Sequence, residues 1–195
     1  NKVAQSYNRD SEADPAYFVP SHGRDPESVN PRYRIRGNGI RSWTPPLTAE
    51  QLAHSAHTFA DVRAASPAGV EPAQAGRLGT VVFKLEGANV ITRLAIKAAM
   101  FRQGDGDRNA ISISTTNGLR WQQVWKNDQR GETPAEVKLV EAVNGAYEVL
   151  VKIELLGQAA ASDARLKSIE FETLTMLNSK TQPSLRLGKN TVYVG

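Results

Sequence analysis

Residues 112–125 read SISTTNGLRWQQVW. On the upstream side Ile111 and Ile113 alternate with Ser112 and Ser114, the period of two that belongs to a strand with one buried face. Asn117-Gly118 follows, a dipeptide suited to a tight hairpin because both positions accept positive φ. Trp121, Val124 and Trp125 then supply the return strand. A hairpin with a wet face and a dry face belongs to an antiparallel sheet, which a parallel α/β fold does not build.

Strand patterns of the same kind run from Gly79 to the end. TVVFKLE puts Val81, Phe83 and Leu85 on one face, and TRLAIKAAMF puts Leu94, Ile96, Ala98 and Met100 on one face. AYEVLVKIELL turns Tyr147, Val149, Val151, Ile153 and Leu155 inward and Glu148, Lys152 and Glu154 outward. ARLKSIEFETLTML offers Ile169 and Phe171 to the core, PAEVKLVEAV reads as a helical turn or a loop crossing, and NTVYV closes the chain. Seven or eight such strands predict an all-β fold, an antiparallel β-sandwich of jelly-roll type. Its expected core is Val81, Phe83, Leu94, Ile96, Ile111, Ile113, Val149, Val151, Ile153, Ile169 and Phe171.

The organisation ahead of Gly79 is different. Residues 1–30 are poor in aliphatic side chains and read as an extended polar arm, anchored on a neighbouring domain or protomer through Tyr17 and Phe18. The sandwich domain is expected over 31–195, with 31–78 a largely irregular entry segment and 79–195 the core strands. Within the entry segment, Thr48 and Gln51 form a capping-box pattern that predicts a short helix over 48–63, and 64–79 reads as a loop.

Composition removes several classes of function. The 195 residues contain no Cys, so disulfide frameworks, Cys-ligated zinc and thiol nucleophiles are all excluded. No apolar run approaches the ~20 residues of a membrane-spanning helix. A net charge of +4 permits an acidic partner without requiring one, and no nucleic-acid recognition motif is present. No Gly-x-Ser-x-Gly elbow, P-loop or dinucleotide fingerprint occurs. The chain opens on Asn1, as expected of a polypeptide from which a leader or an upstream domain has been removed.

Ser114-x-Thr116-x-Gly118-x-x-Trp121 resembles the Asp-box hairpin of sialidase-type propellers, with Thr116 at the position of the Asp. The pattern occurs once, and a propeller needs roughly four or more blades of about 40–50 residues, so only the hairpin is shared. Three longer stretches carry a second resemblance: GTVVFKLEGANVITRLAIKAAMFR with the hairpin after it, NGAYEVLVKIELL, and ARLKSIEFETLTMLN. Across roughly 77–195 these resemble the galactose-binding-like β-sandwich domains attached to bacterial enzymes that act on polysaccharides. The resemblance implies a non-catalytic, carbohydrate-binding or accessory module, secreted or periplasmic, with no catalytic residues.

Candidate site residues follow from residue type and spacing. Arg32, Arg34 and Arg36 alternate with Tyr33 and Ile35, and with Arg41 they form the densest basic cluster in the chain, next to Trp43. Guanidinium forks suit carboxylate or sulfate, and indoles stack on sugar rings. The expected ligand set is therefore Arg32, Arg34, Arg36, Trp43 and Trp125, reading an anionic polysaccharide; Trp121, four residues before Trp125, should share its face and is expected to pack into the core. Asp105, Asp107 and Asn109 open like a calcium loop, although Ala110 and Thr116 break the EF-hand pattern, so a structural calcium there is weighed against a plain polar turn. His54, His57 and Asp61 share one stripe of the expected helix, a weaker metal candidate. The alternative reading is a structural or assembly subunit, favoured by the quantity of core-poor sequence ahead of Gly79.

Overall fold

A computed structural model describes residues 38–66 and 68–176. The arm, Arg32, Arg34, Arg36 and the expected closing strand NTVYV lie outside the described residues. In chain order the elements are β1 (Asn38–Trp43), α1 (Leu52–Ser55), β2 (Thr58–Ala60), β3 (Val62–Ala64), β4 (Val70–Pro72) and β5 (Gly79–Arg102). They continue with β6 (Arg108–Ser114), β7 (Gln122–Lys126), β8 (Gly131–Leu139), β9 (Ala146–Leu156), a 3-10 turn (Ala161–Asp163) and β10 (Ala164–Met176). All strand pairing is antiparallel.

Two layers share one strand. The first half of β5, 79–86, pairs with β2 on one side and β9 on the other, and β9 leads on through β6 to β7. The second half, 91–102, pairs with β8 and β10, and β10 carries β1 and β4 along its far edge. The register shift between Glu86 and Ile91 marks where β5 leaves the first sheet for the second. The sequence suggested two strands here. A single chain direction with one local irregularity serves both sheets and needs no turn.

The core fills the space between the layers. All eleven residues expected inside are buried, from Val81 and Phe83 on the first sheet to Ile169 and Phe171 on the second. Phe83 and Phe171 meet across the gap with ring centroids 5.4 Å apart. Tyr147 is the exception to the inward pattern of β9: it is 64% exposed, because it lies at the strand's beginning, past the edge of the core.

Three expectations fail before and after β5. The helix predicted over 48–63 shrinks to the four residues of α1, and 58–60 and 62–64 are strands. Local pattern favoured a helix, but Thr58, Phe59 and Val62 are strand formers, and pairing of β2 with β5 satisfies more backbone. His54, His57 and Asp61 therefore share no helical face. The expected loop 64–79 contains β4. PAEVKLVEAV, read as a turn or crossing, lies mostly in β8, where Pro134 is tolerated because among the described residues β8 pairs only with β5, at a sheet edge.

Candidate functional site

The hairpin that decided the fold is held by its own side chains. Ser114 Oγ accepts the Gly118 N–H at 3.0 Å and the Thr116 N–H at 3.2 Å, and Thr116 Oγ1 accepts the Arg120 N–H at 3.0 Å. Thr116 thus supplies an acceptor oxygen where the Asp-box has a carboxylate. Asn117 and Gly118 both have positive φ, as the turn requires.

A slip in register then separates the two tryptophans. Ile111 faces Trp125 and Ser112 faces Gln123, so Val124 is an extra residue on β7. Trp125 follows Ile111 toward the interior and packs against the core. Trp121 precedes β7 and lies on the outer face, where the Lys152 ammonium sits 4.6 Å from its ring centre. The expectation of a shared face counted four residues of regular strand. The bulge makes that count wrong.

The side chains of the acidic loop make contacts of their own. Asp105 is held by the Arg130 guanidinium through both carboxylate oxygens, with Arg130 and Arg102 keeping its carboxyl below the usual range. Asp107 accepts the Gly104 N–H and the Gln158 N–H, one on each oxygen. Asn109 is buried and donates to the Phe101 carbonyl at 2.7 Å. Each side chain serves a loop contact, as in the polar turn against which a structural calcium at Asp105, Asp107 and Asn109 is weighed. Among the described residues no group of three His or carboxylate side chains is placed to hold a metal.

The remaining candidates converge at the side of the sandwich. Trp43 ends β1 and, with Arg41 two residues earlier, points the same way as Phe171 and Thr173, which β1 faces in register. The Trp43 indole stacks on Phe171 with ring centroids 5.6 Å apart and meets the edge of Phe83 at 6.0 Å. The rest of the indole lines a cleft of about 140 Å³ with Leu85 and Thr173. Arg41, Lys84 and Glu86 form its rim. Three elements far apart in sequence build it: the edge strand β1, the end of the first half of β5, and β10, which supplies Phe171 and Thr173.

Its electrostatics are set by one lysine. Lys84 reaches Glu86 at 2.6 Å and Glu148 at 3.0 Å, two carboxylates that stand directly opposite each other on β5 and β9. Hydrogen bonding to Lys84 lowers the Glu86 pKa, and the two carboxylates raise that of Lys84. Arg41 donates from Nη1 to the Glu86 carbonyl at 3.2 Å, joining the sheets across the mouth of the cleft. A guanidinium has five N–H donors, so most of Arg41 remains available to a ligand.

Sequence reasoning named Trp43 and placed Arg41 in the basic cluster, but gave no place to Lys84 or Glu86. Strand alternation put Lys84 on the outer face. The partner strand that makes it a rim residue is set by tertiary pairing alone. Trp125 is not part of this site: β7 is the far edge of the first sheet, beyond β9 and β6.

A second depression lies on the outer face of the second sheet. Arg93, Lys97 and Lys138 interleave with Glu136, Glu170 and Glu172 around it, and Arg93 pairs with Glu172 at 2.7 Å. Charges of both signs alternating over an open sheet make a solvated face, with no aromatic platform.

No protein-family model matches the chain, and no curated protein matches it. Solved structures do show similarity in fold. The C-terminal CBM6 of LamC, a marine laminarinase from Zobellia galactanivorans, aligns over 68% of this chain and 98% of its own, with 12% identity and a TM-score of 0.40. A xylan-binding module, CBM15, aligns over 70% and 97% at 12% identity and a TM-score of 0.43. The CBM35 from Cellvibrio japonicus Abf62 aligns over 68% and 92% at 12% identity and a TM-score of 0.42. At this distance the likeness carries no ligand from those proteins to this chain. Among the described residues no helix is long and apolar enough to cross a membrane.

Proposed function

We propose that this chain is a non-catalytic carbohydrate-binding module whose sugar site is the side cleft. One observation carries the reading: Trp43 is fixed by Phe171 and Phe83, yet still lines an open cleft rimmed by the hydrogen-bonding groups of Arg41, Lys84 and Glu86. An immobilised aromatic surface beside charged donors and acceptors suits a sugar ring, whose C–H face stacks while its hydroxyls bond. The carboxylates support a non-catalytic role. Of the outward carboxylates Glu148, Glu154, Glu170 and Glu172, Glu148, Glu154 and Glu172 are held in ion pairs and Glu170 lies on the mixed-charge outer face, whereas a glycosidase needs two free carboxyls across a cleft. An anionic polysaccharide, secretion and docking of the arm on a neighbouring domain or protomer stay with the residues outside the described part.

The test is a glycan array followed by titration calorimetry. Trp43→Ala should abolish binding. That change also removes packing from Phe171, so Arg41→Gln serves as the second variant: its side chain is exposed, and it should weaken binding with the melting curve unchanged. Failure of the native chain to bind any glycan would transfer the reading to the structural or assembly subunit.

A further inference from the structure

The charge inventory of the cleft identifies the kind of sugar, and it rests on the reading that the cleft is the sugar site. The sequence pointed to an anion because Arg32, Arg34, Arg36 and Arg41 cluster. Of these Arg41 lies among the described residues, where it lines the cleft, and the described charges around it cancel. Arg41 and Lys84 are positive, while Glu86 and Glu148 are negative and both bound to Lys84. Lys84 has spent its charge on two carboxylates. An incoming carboxylate would gain Arg41 but approach the Glu86 carboxylate on the same rim.

From these contacts we infer that the side cleft selects an uncharged sugar by a pair of adjacent hydroxyls, one accepting from Arg41 and the other donating to Glu86, with the ring against Trp43. The chemistry fits a vicinal diol. Its two oxygens each donate and accept, whereas a guanidinium only donates and an ionised carboxylate only accepts. Charged partners make the stronger kind of hydrogen bond. The backbone bond from Arg41 to Glu86 keeps donor and acceptor side by side on the rim. Lys84 is a positioning residue: it draws Glu86 and Glu148 together where they would otherwise repel.

Calorimetry on the full chain, with neutral gluco- and galacto-oligosaccharides and their uronic-acid counterparts, separates the possibilities. The neutral sugars should bind, with affinity nearly constant from about 0.05 to 0.5 M salt, because no net charge is neutralised. Glu86→Gln should weaken neutral sugars about tenfold, the scale of a charged hydrogen bond, and should improve the uronates by removing the repulsion. Glu86 is exposed, so that variant folds, and an unchanged melting curve checks it. Uronates binding the native chain more tightly than neutral sugars would overturn the inference and leave the carbohydrate reading standing, as would neutral binding unmoved by Glu86→Gln. Absence of binding to either set would remove both.

Discussion

Two glutamates show what burial does to one chemistry. Glu71 on β4 is 5% exposed and clamped from both sides, by Arg63 of β3 at 2.8 Å and by Arg165 of β10 at 2.7 Å. Glu86 on β5 also has a cationic partner, Lys84, yet lies open to water on the rim of the cleft. Both are carboxylates in ion pairs on strands. The first joins three strands and has no free oxygen for a ligand. The second costs little to desolvate and keeps an oxygen to offer. The difference lies in the surroundings, so a charge cluster in a sequence says little until its burial is known.

The largest effects should come from the buried side. Phe171→Ala removes the ring that supports both Trp43 and Phe83, and should cost about 3–5 kcal/mol in a urea titration. A loss below about 1 kcal/mol would mean that Phe171 does not pack between Trp43 and Phe83. Glu71→Ala leaves two guanidinium groups facing each other without their carboxylate. Because Arg63 is half-exposed and recovers solvation, the expected cost is at the lower end of the range for broken buried pairs, about 3 kcal/mol. An effect no larger than that of Glu86→Gln on the melting curve would erase the comparison.

Smaller effects sharpen it. Thr116→Val deprives the Arg120 N–H of its acceptor and should cost about 1 kcal/mol, while Thr116→Asp should restore the bond. Equal midpoints for the two variants would show that the hairpin does not depend on this side chain. The exposed carboxylates Asp105 and Glu86 have pKa values lowered by Arg130 and Lys84 respectively. A lowered folded-state value stabilises above the unfolded carboxylate range, near pH 4, and that contribution is lost as pH falls through the folded value. Asp105→Asn should therefore lower stability slightly at neutral pH, flatten the acid limb of the stability curve and leave its acid end nearly untouched. A loss at about pH 2 as large as that at about pH 7 would contradict the assignment.

The core was legible because it depends on a short period. Alternation over five or six residues settles which side chains face inward, and Val81 to Phe171 followed it. The hairpin was legible for the same reason, aided by Asn117-Gly118. The helix over 48–63 misled because its caps and apolar spacing are local signals, whereas β2 exists only by pairing with β5. The bulge at Val124 has no residue signature, so the placement of the two tryptophans on one face could not survive it. In the cleft, Trp43 and Arg41 drew notice through their own chemistry. Lys84 and Glu86, more than 40 positions along the chain, came from a contact between sheets that no spacing rule encodes.

β5 gives the molecule a single fate. Its 24 residues belong to both layers, so neither sheet can separate without unzipping the strand on which the other is built. Opening of one layer should carry the other with it, and the amide protons of β5 should exchange only when the whole domain unfolds. A sugar held between β1 and β5 would fasten that shared strand to an outer edge, so occupancy should slow exchange far from the cleft, as far as β8.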